Sequence, residues 1–229
     1  MRRCLVVGAM LAVLGSSIVM LGQDLATLQK QALAGDVAAQ NKLGEMYSIG
    51  TGVTRSYTEA AKWFRMAADK GDAGAQFKLG IMYEGGFGVT KSGKEAMSWY
   101  EKAAAQKNTE AMWRLATAYQ NGRGVEKNPK EAVKYYRKAA EQGYAKAQVR
   151  LGDIYRDGLD PIQHDYTEAL KWYRMAADKG DAAGQYGVGF MYQEGMGVPA
   201  STDEAAKWYE LAAKQGNVDA VTALHNLRR

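Results

Sequence analysis

The chain has 229 residues, 47% of them hydrophobic and 24% charged, which is enough apolar material for a continuous core and too much for a disordered segment. Its one cysteine, Cys4, excludes a disulfide framework. The net charge of +5 is spread thinly, with no run of lysine or arginine longer than two, so nucleic-acid binding is not expected.

The first element is residues 1–22. Arg2 and Arg3 precede an apolar run over 5–21, the charged and hydrophobic regions of a secretory signal peptide. An uncleaved N-terminal membrane anchor is the alternative, although the run is short for a span. No cysteine follows the run, so no lipid anchor is expected, and the mature chain would hold no thiol. Residues 23–34, QDLATLQKQALA, read as an N-terminal capping helix, because the end of a repeat array must shield its core.

From residue 35 onward the chain repeats itself. KWFRMAADKGD at 62–72 returns as KWYRMAADKGD at 171–181, an offset of three 36-residue periods plus one residue. The units run 35–70, 71–106, 107–142, 143–179 and 180–215, with a half unit at 216–229. The fourth unit holds the extra residue in its loop, where Gly158-Leu159-Asp160-Pro161-Ile162 replaces G-x-G-V. A fixed period of this length predicts stacked repeats.

Within a unit the spacing is helical. Ala39, Gln40, Leu43, Gly44, Met46 and Tyr47 form one stripe, and Ala60, Trp63, Phe64, Ala67 and Ala68 a second. A turn at Gly50-Thr51-Gly52 separates them. Gly71 ends the second helix and Asp72 caps the next, so each unit is a helical hairpin with a first helix A and a second helix B. No segment alternates with period two, and no sheet is expected. Small residues recur where the helices should meet: Gly44, Gly80, Ala116, Gly152 and Gly189 on helix A, and an Ala pair on each helix B. Large rings should fill the remaining core: Trp63, Trp99, Tyr135, Trp172 and Trp208 on helix B, and Tyr47, Tyr83, Tyr119, Tyr155 and Tyr192 on helix A.

The signature G-D-x-x-A-Q-x-x-L-G-x-x-Y, then G-x-G-V, then A-x-x-W-Y-x-x-A-A, resembles the Sel-1-like repeat family of tetratricopeptide-like repeats over about residues 35–229. The resemblance implies an all-α fold: an α/α superhelical solenoid of about five 36-residue helix-turn-helix repeats plus capping helices, with helix A on the concave side. It also implies an adaptor or scaffold role. A secreted, cysteine-rich branch of the family is associated with penicillin binding and weak β-lactamase activity. This chain lacks those cysteines, so the resemblance does not carry that activity across.

Two stretches invite other chemistry. Gly88 to Glu95, GVTKSGKE, is close to a phosphate-binding loop, but Glu95 stands where that loop needs a hydroxyl, and the repeat register makes it an interhelical loop. His164 and His225 lie far apart without clustered ligands, so no metal, cofactor or catalytic triad is expected.

The variable positions are more informative. On helix A, the residues 6, 10 and 13 places after each unit's first residue point away from the repeated stripe. They read Asn41/Glu45/Ser48, Phe77/Ile81/Glu84, Trp113/Thr117/Gln120, Val149/Asp153/Arg156 and Tyr186/Phe190/Gln193. Apolar rings on a face that should be wet mark an interaction surface. Phe77, Ile81, Trp113, Thr117, Asp153, Arg156, Tyr186 and Phe190 are therefore the candidate partner-binding residues. The expected function is an exported scaffold, periplasmic or secreted, that binds a protein or peptide through its concave face. The alternatives are a cell-envelope enzyme acting on peptidoglycan or a β-lactam, and a self-assembling rod.

Overall fold

A computed structural model describes residues 24–227; the signal or anchor segment expected at 1–22 lies outside the described residues. The chain divides into two compact units, one ending at Gln106 and one beginning at Lys107. The first holds α1 (24–33), α2 (Val37–Ile49), α3 (Tyr57–Asp69), α4 (Ala73–Gly85) and α5 (Gly93–Ala105). The second holds α6 (Thr109–Asn121), α7 (Pro129–Glu141), α8 (Ala145–Asp157), α9 (Tyr166–Ala177), α10 (Ala182–Glu194), α11 (Thr202–Lys214) and α12 (Val218–Leu227). Among the described residues there is no strand, only an isolated bridge between Leu159 and Ile162 in the atypical loop.

Nearly every helix of the hairpins starts at a side-chain cap. For helix A, the carbonyl or carboxylate oxygens of Asp36, Asp72, Asn108 and Asp181 accept from the backbone N–H three residues on. At α8 the cap position is Tyr144, which makes no such bond. For helix B, Ser56, Ser92, Asn128, Asp165 and Ser201 accept from the N–H of a glutamate at the third helical position. This recurring S/N/D-x-x-E spacing marks every helix B start.

The helix A capping turns are entered through left-handed backbone. Gly35, Gly71, Gly143, Gly180 and Gly216 all have positive φ, and the third unit puts Lys107 there at φ 65. A side chain in that region costs about 1–2 kcal/mol. Glycine's greater unfolded-state freedom returns part of this. Lys107→Gly should therefore stabilise the chain by about 0.5–1 kcal/mol. The check is a higher urea midpoint at unchanged slope; a lower midpoint would show that the lysine side chain contributes more than its backbone costs.

The buried interior of each unit is small-against-large packing. Leu43 and Leu79 in the first unit, and Leu115, Leu151 and Val188 in the second, are fully buried among the alanines of the B helices. Buried glutamines tie three of the A helices to the helix before them: Gln40 donates to the Ala32 carbonyl at 2.8 Å, Gln76 to Ala68 at 3.2 Å and Gln148 to Ala140 at 2.9 Å. At the start of the first unit, α1 packs Leu25, Leu28 and Ala32 against Leu43 and Trp63.

The ring assignment differs from the expectation in one respect. Trp63, Trp99 and Trp172 are buried, but Tyr135 and Trp208, and all five helix A tyrosines, are only half-buried. The deepest rings are one residue further along helix B: Tyr100, Tyr136, Tyr173 and Tyr209 are fully buried, and Phe64 nearly so. They fit because the small helix A residues leave them a slot. A Cβ added at Gly80 would sit 2.5 Å from the Tyr100 ring, and one at Gly152 2.5 Å from Tyr173. The helix A tyrosines instead lie part-way out, three of them under an arginine of the preceding helix B: Arg65 bonds the Tyr83 hydroxyl, Arg137 that of Tyr155, and Arg174 that of Tyr192.

Candidate functional site

The buried tyrosines also organise the helix A face. Each enters from helix B and brings its hydroxyl out between the A helices, where it donates to a residue of the variable positions. Tyr100 bonds Glu84 at 2.6 Å, Tyr136 bonds Gln120 at 2.8 Å, Tyr173 bonds Asp153 at 2.7 Å and Tyr209 bonds Gln193 at 3.0 Å. The variable face is therefore built over the tips of the core tyrosines.

In the first unit, Phe77 and Ile81 lie half-buried on α4, and the Phe77 ring packs on Tyr100 with centroids 5.9 Å apart. In the second unit, Trp113 on α6 is half-buried, its ring 5.1 Å from Tyr136 and edge-on to Tyr144 at 5.9 Å. Thr117 turns its hydroxyl back to the Trp113 carbonyl at 2.7 Å, a bond within its own helix. Tyr186 and Phe190 on α10 face each other at 6.5 Å, and Tyr186 packs on Tyr209 at 5.5 Å. These rings are not free in solvent, as a face turned away from the core would suggest. Phe77, Trp113 and Tyr186 each lean on a core tyrosine, and Phe190 leans on Tyr186.

Asp153 and Arg156 on α8 belong to a charged network. Arg156 makes two 2.7 Å hydrogen bonds to the Asp157 carboxylate, lies 3.9 Å from Asp153 and covers the Phe190 ring at 5.2 Å. Arg150 approaches Asp153 at 3.8 Å. Burial pushes the Asp153 carboxyl up, opposed by the Tyr173 hydroxyl and the Arg156 charge. The Asp157 carboxyl is held down by its bonds to Arg156. Burial, together with the Asp153 charge, pushes the Tyr173 hydroxyl up, so it stays a donor. With its donors and acceptors matched, the network holds the face in shape.

Two shallow depressions open on this face of the second unit, and the repeat constructs them alike. One places Trp113 of α6 beside Lys146, Val149, Arg150 and Asp153 of α8. The other places Tyr186 and Phe190 of α10 beside Asp219, Thr222 and Asn226 of α12. Of the candidate residues, Trp113 and Asp153 thus share one depression and Tyr186 and Phe190 the other. Thr117 lines neither, and Arg156 links the two through Phe190. The sequence reading missed Lys146, Arg150, Asp219 and the four tyrosine hydroxyls. The recurring Trp-Tyr or Tyr-Tyr dipeptide beside the alanine pairs was a signal for the tyrosines; nothing in the period marks the three charged residues. Among the described residues no three His, Cys, Asp or Glu side chains converge as metal ligands would, and no helix is long and apolar enough to cross a membrane.

Comparison with known proteins agrees with this architecture. A family model described as Sel1 repeat matches residues 37–72, 73–108, 109–144, 145–181 and 182–217, the fourth window carrying the extra residue. A protective antigen present in uropathogenic Escherichia coli strains, with an SLR fold, is 35% identical over 90% of this chain at a TM-score of 0.85. The chain spans only 44% of that protein's length. A Sel1 repeat protein from Oxalobacter formigenes is 37% identical over 85% of this chain and 79% of its own, at a TM-score of 0.76. The Pseudomonas aeruginosa immunity protein Pa5087, 20% identical over 85% of this chain and 74% of its own at a TM-score of 0.52, shares the fold alone. No curated protein matches the chain.

Proposed function

The chain belongs to the Sel1 repeat family, whose solenoids generally mediate protein–protein interaction, and from that premise we propose that it is an exported scaffold that holds a protein or peptide partner on its helix A face. The observation that carries the reading is the contrast within helix A. The inward residues barely change from unit to unit, while the outward ones change freely and include Trp113, Tyr186 and Phe190 as half-buried rings beside charge. A core needs sameness to stack; a face that recognises one partner needs difference along its length. Export rests on Arg2, Arg3 and the apolar run over 5–21.

The test compares Trp113→Ala with Trp63→Ala. Trp113 is half-buried and makes two ring contacts, so its loss should cost about 1–2 kcal/mol of stability. It should weaken capture of the partner from a cell-envelope extract by about 2 kcal/mol, roughly 30-fold. Trp63, buried between α1 and α2, should lose stability first. If the Trp113 variant retains full capture while folded, the helix A face is not the binding surface. Mass spectrometry of the chain from the envelope fraction should show a start between about residues 16 and 24; an intact Met1 in soluble cytoplasmic protein would overturn the export reading.

A further inference from the structure

Resting on the scaffold reading, we propose that the depression between α10 and α12 is a pocket for one arginine side chain presented by the bound partner. Its floor is aromatic: Tyr186 lies 6.5 Å from Phe190 and 5.5 Å from Tyr209, and all three line the depression. Its rim carries the Asp219 carboxylate, which has no ion-pair partner among the described residues, and the side-chain amides of Gln193 and Asn226. The Gln193 oxygen already accepts from the Tyr209 hydroxyl and keeps a second lone pair. A guanidinium is planar, weakly hydrated and multiply donating, so an aromatic floor of tilted rings with a carboxylate and amide oxygens at the edge complements it in shape and charge.

The fold already demonstrates half of this chemistry. The Arg156 guanidinium lies over the Phe190 ring at 5.2 Å, with its charge satisfied by Asp157. The second guanidinium would come from the partner and take the Asp219 side. Burial, and after it the Asp219 charge, pushes the Tyr186 hydroxyl up against the opposing charge of Arg156, as expected if that carboxylate faces the ring.

Asp219 is not part of the repeat's own requirements. The same column reads Ala38, Gly74, Glu110, Lys146 and Ala183 in the other units. An acid in the first turn of α12 also favours the helix dipole, but the orphan N–H of Ala220 is already capped by Asn217 at 2.9 Å. The equivalent depression at Trp113 carries Lys146 in this column. The two pockets are alike in construction. In the Trp113 depression Lys146 and Arg150 stand against Asp153 and Asp181, whereas among the described residues Asp219 is the one charged residue lining the α10–α12 depression, which makes that pocket the one that selects a cation.

The experiment is an amide NMR titration of the full chain with the capped tripeptide Gly-Arg-Gly, and with its citrulline and glutamate counterparts. Citrulline keeps the shape of arginine and removes the charge. Saturable shifts should centre on Tyr186, Thr222 and Ala223, with binding about tenfold weaker for citrulline and absent for glutamate. Asp219→Asn should lose the same factor of about ten with an unchanged helical circular dichroism and only the small loss of melting temperature expected from the α12 dipole. Equal binding of arginine and citrulline, shifts centred elsewhere, or an Asp219→Asn variant that binds as before would overturn the pocket. Those outcomes leave the scaffold reading intact if Trp113→Ala still loses partner capture; retained capture by Trp113→Ala sinks the scaffold face whatever the tripeptide does.

Discussion

Trp99→Ala should cost about 3–5 kcal/mol and unfold the first unit locally before the second responds. Trp99 is 5% exposed and packs in one cluster with Phe64, Ala67, Ala68, Leu79 and Met82, so truncation leaves a cavity flanked by three helices. Its outer edge is covered by Lys102 at 3.8 Å and Arg65 at 5.2 Å from the ring centroid, and these stems would lose their packing surface as well. Its indole N–H has no hydrogen-bond partner. Trp99→Phe should therefore cost clearly less than Trp99→Ala, because it keeps much of the ring and removes an unsatisfied donor. Hydrogen exchange should rise first in α3, α4 and α5. Unchanged melting of Trp99→Ala would mean that Trp99 does not hold α3 to α5 together.

Tyr173→Ala is the corresponding expectation for the second unit, again about 3–5 kcal/mol. The ring is 1% exposed and lies in a slot between Gly152 of α8 and Gly187 of α10, either of which would collide with it if it carried a Cβ. Removing the ring leaves two glycines facing a void, and neither can fill it. Tyr173→Phe separates packing from hydrogen bonding: the slot stays full and only the 2.7 Å bond to Asp153 is lost, for about 1 kcal/mol. The phenylalanine variant should also loosen the Asp153–Arg156 pairing that stands beside Phe190. Urea denaturation of the two variants gives both numbers; equal losses would mean that the hydroxyl, not the ring, supports α8 and α10.

The period of 36, the helical stripes within it and the glycine and aspartate at each boundary determined the hairpin architecture from sequence alone. These are local properties. A stripe at i, i+3 and i+4 needs only the helix's own geometry, and a cap needs only the next three residues. Only the tertiary structure decided which of two adjacent rings on helix B lies deepest. Trp99 and Tyr100 differ by one helical step, and both angles are compatible with burial. The slot at Gly80, where an added Cβ would meet the Tyr100 ring at 2.5 Å, takes in Tyr100 and leaves Trp99 beneath a lysine and an arginine. The same limit applies to the candidate surface. Periodicity could place Trp113, Tyr186 and Phe190 on the outward side, but it could not show that Trp113 and Tyr186 each rest on a core tyrosine and Phe190 on Tyr186. Nor could it show that Lys146 and Asp219, 73 residues apart, occupy equivalent rims of two like depressions. Both facts depend on which neighbouring helix covers a position, and that is set by packing between repeats rather than by the angle of a residue on its own helix.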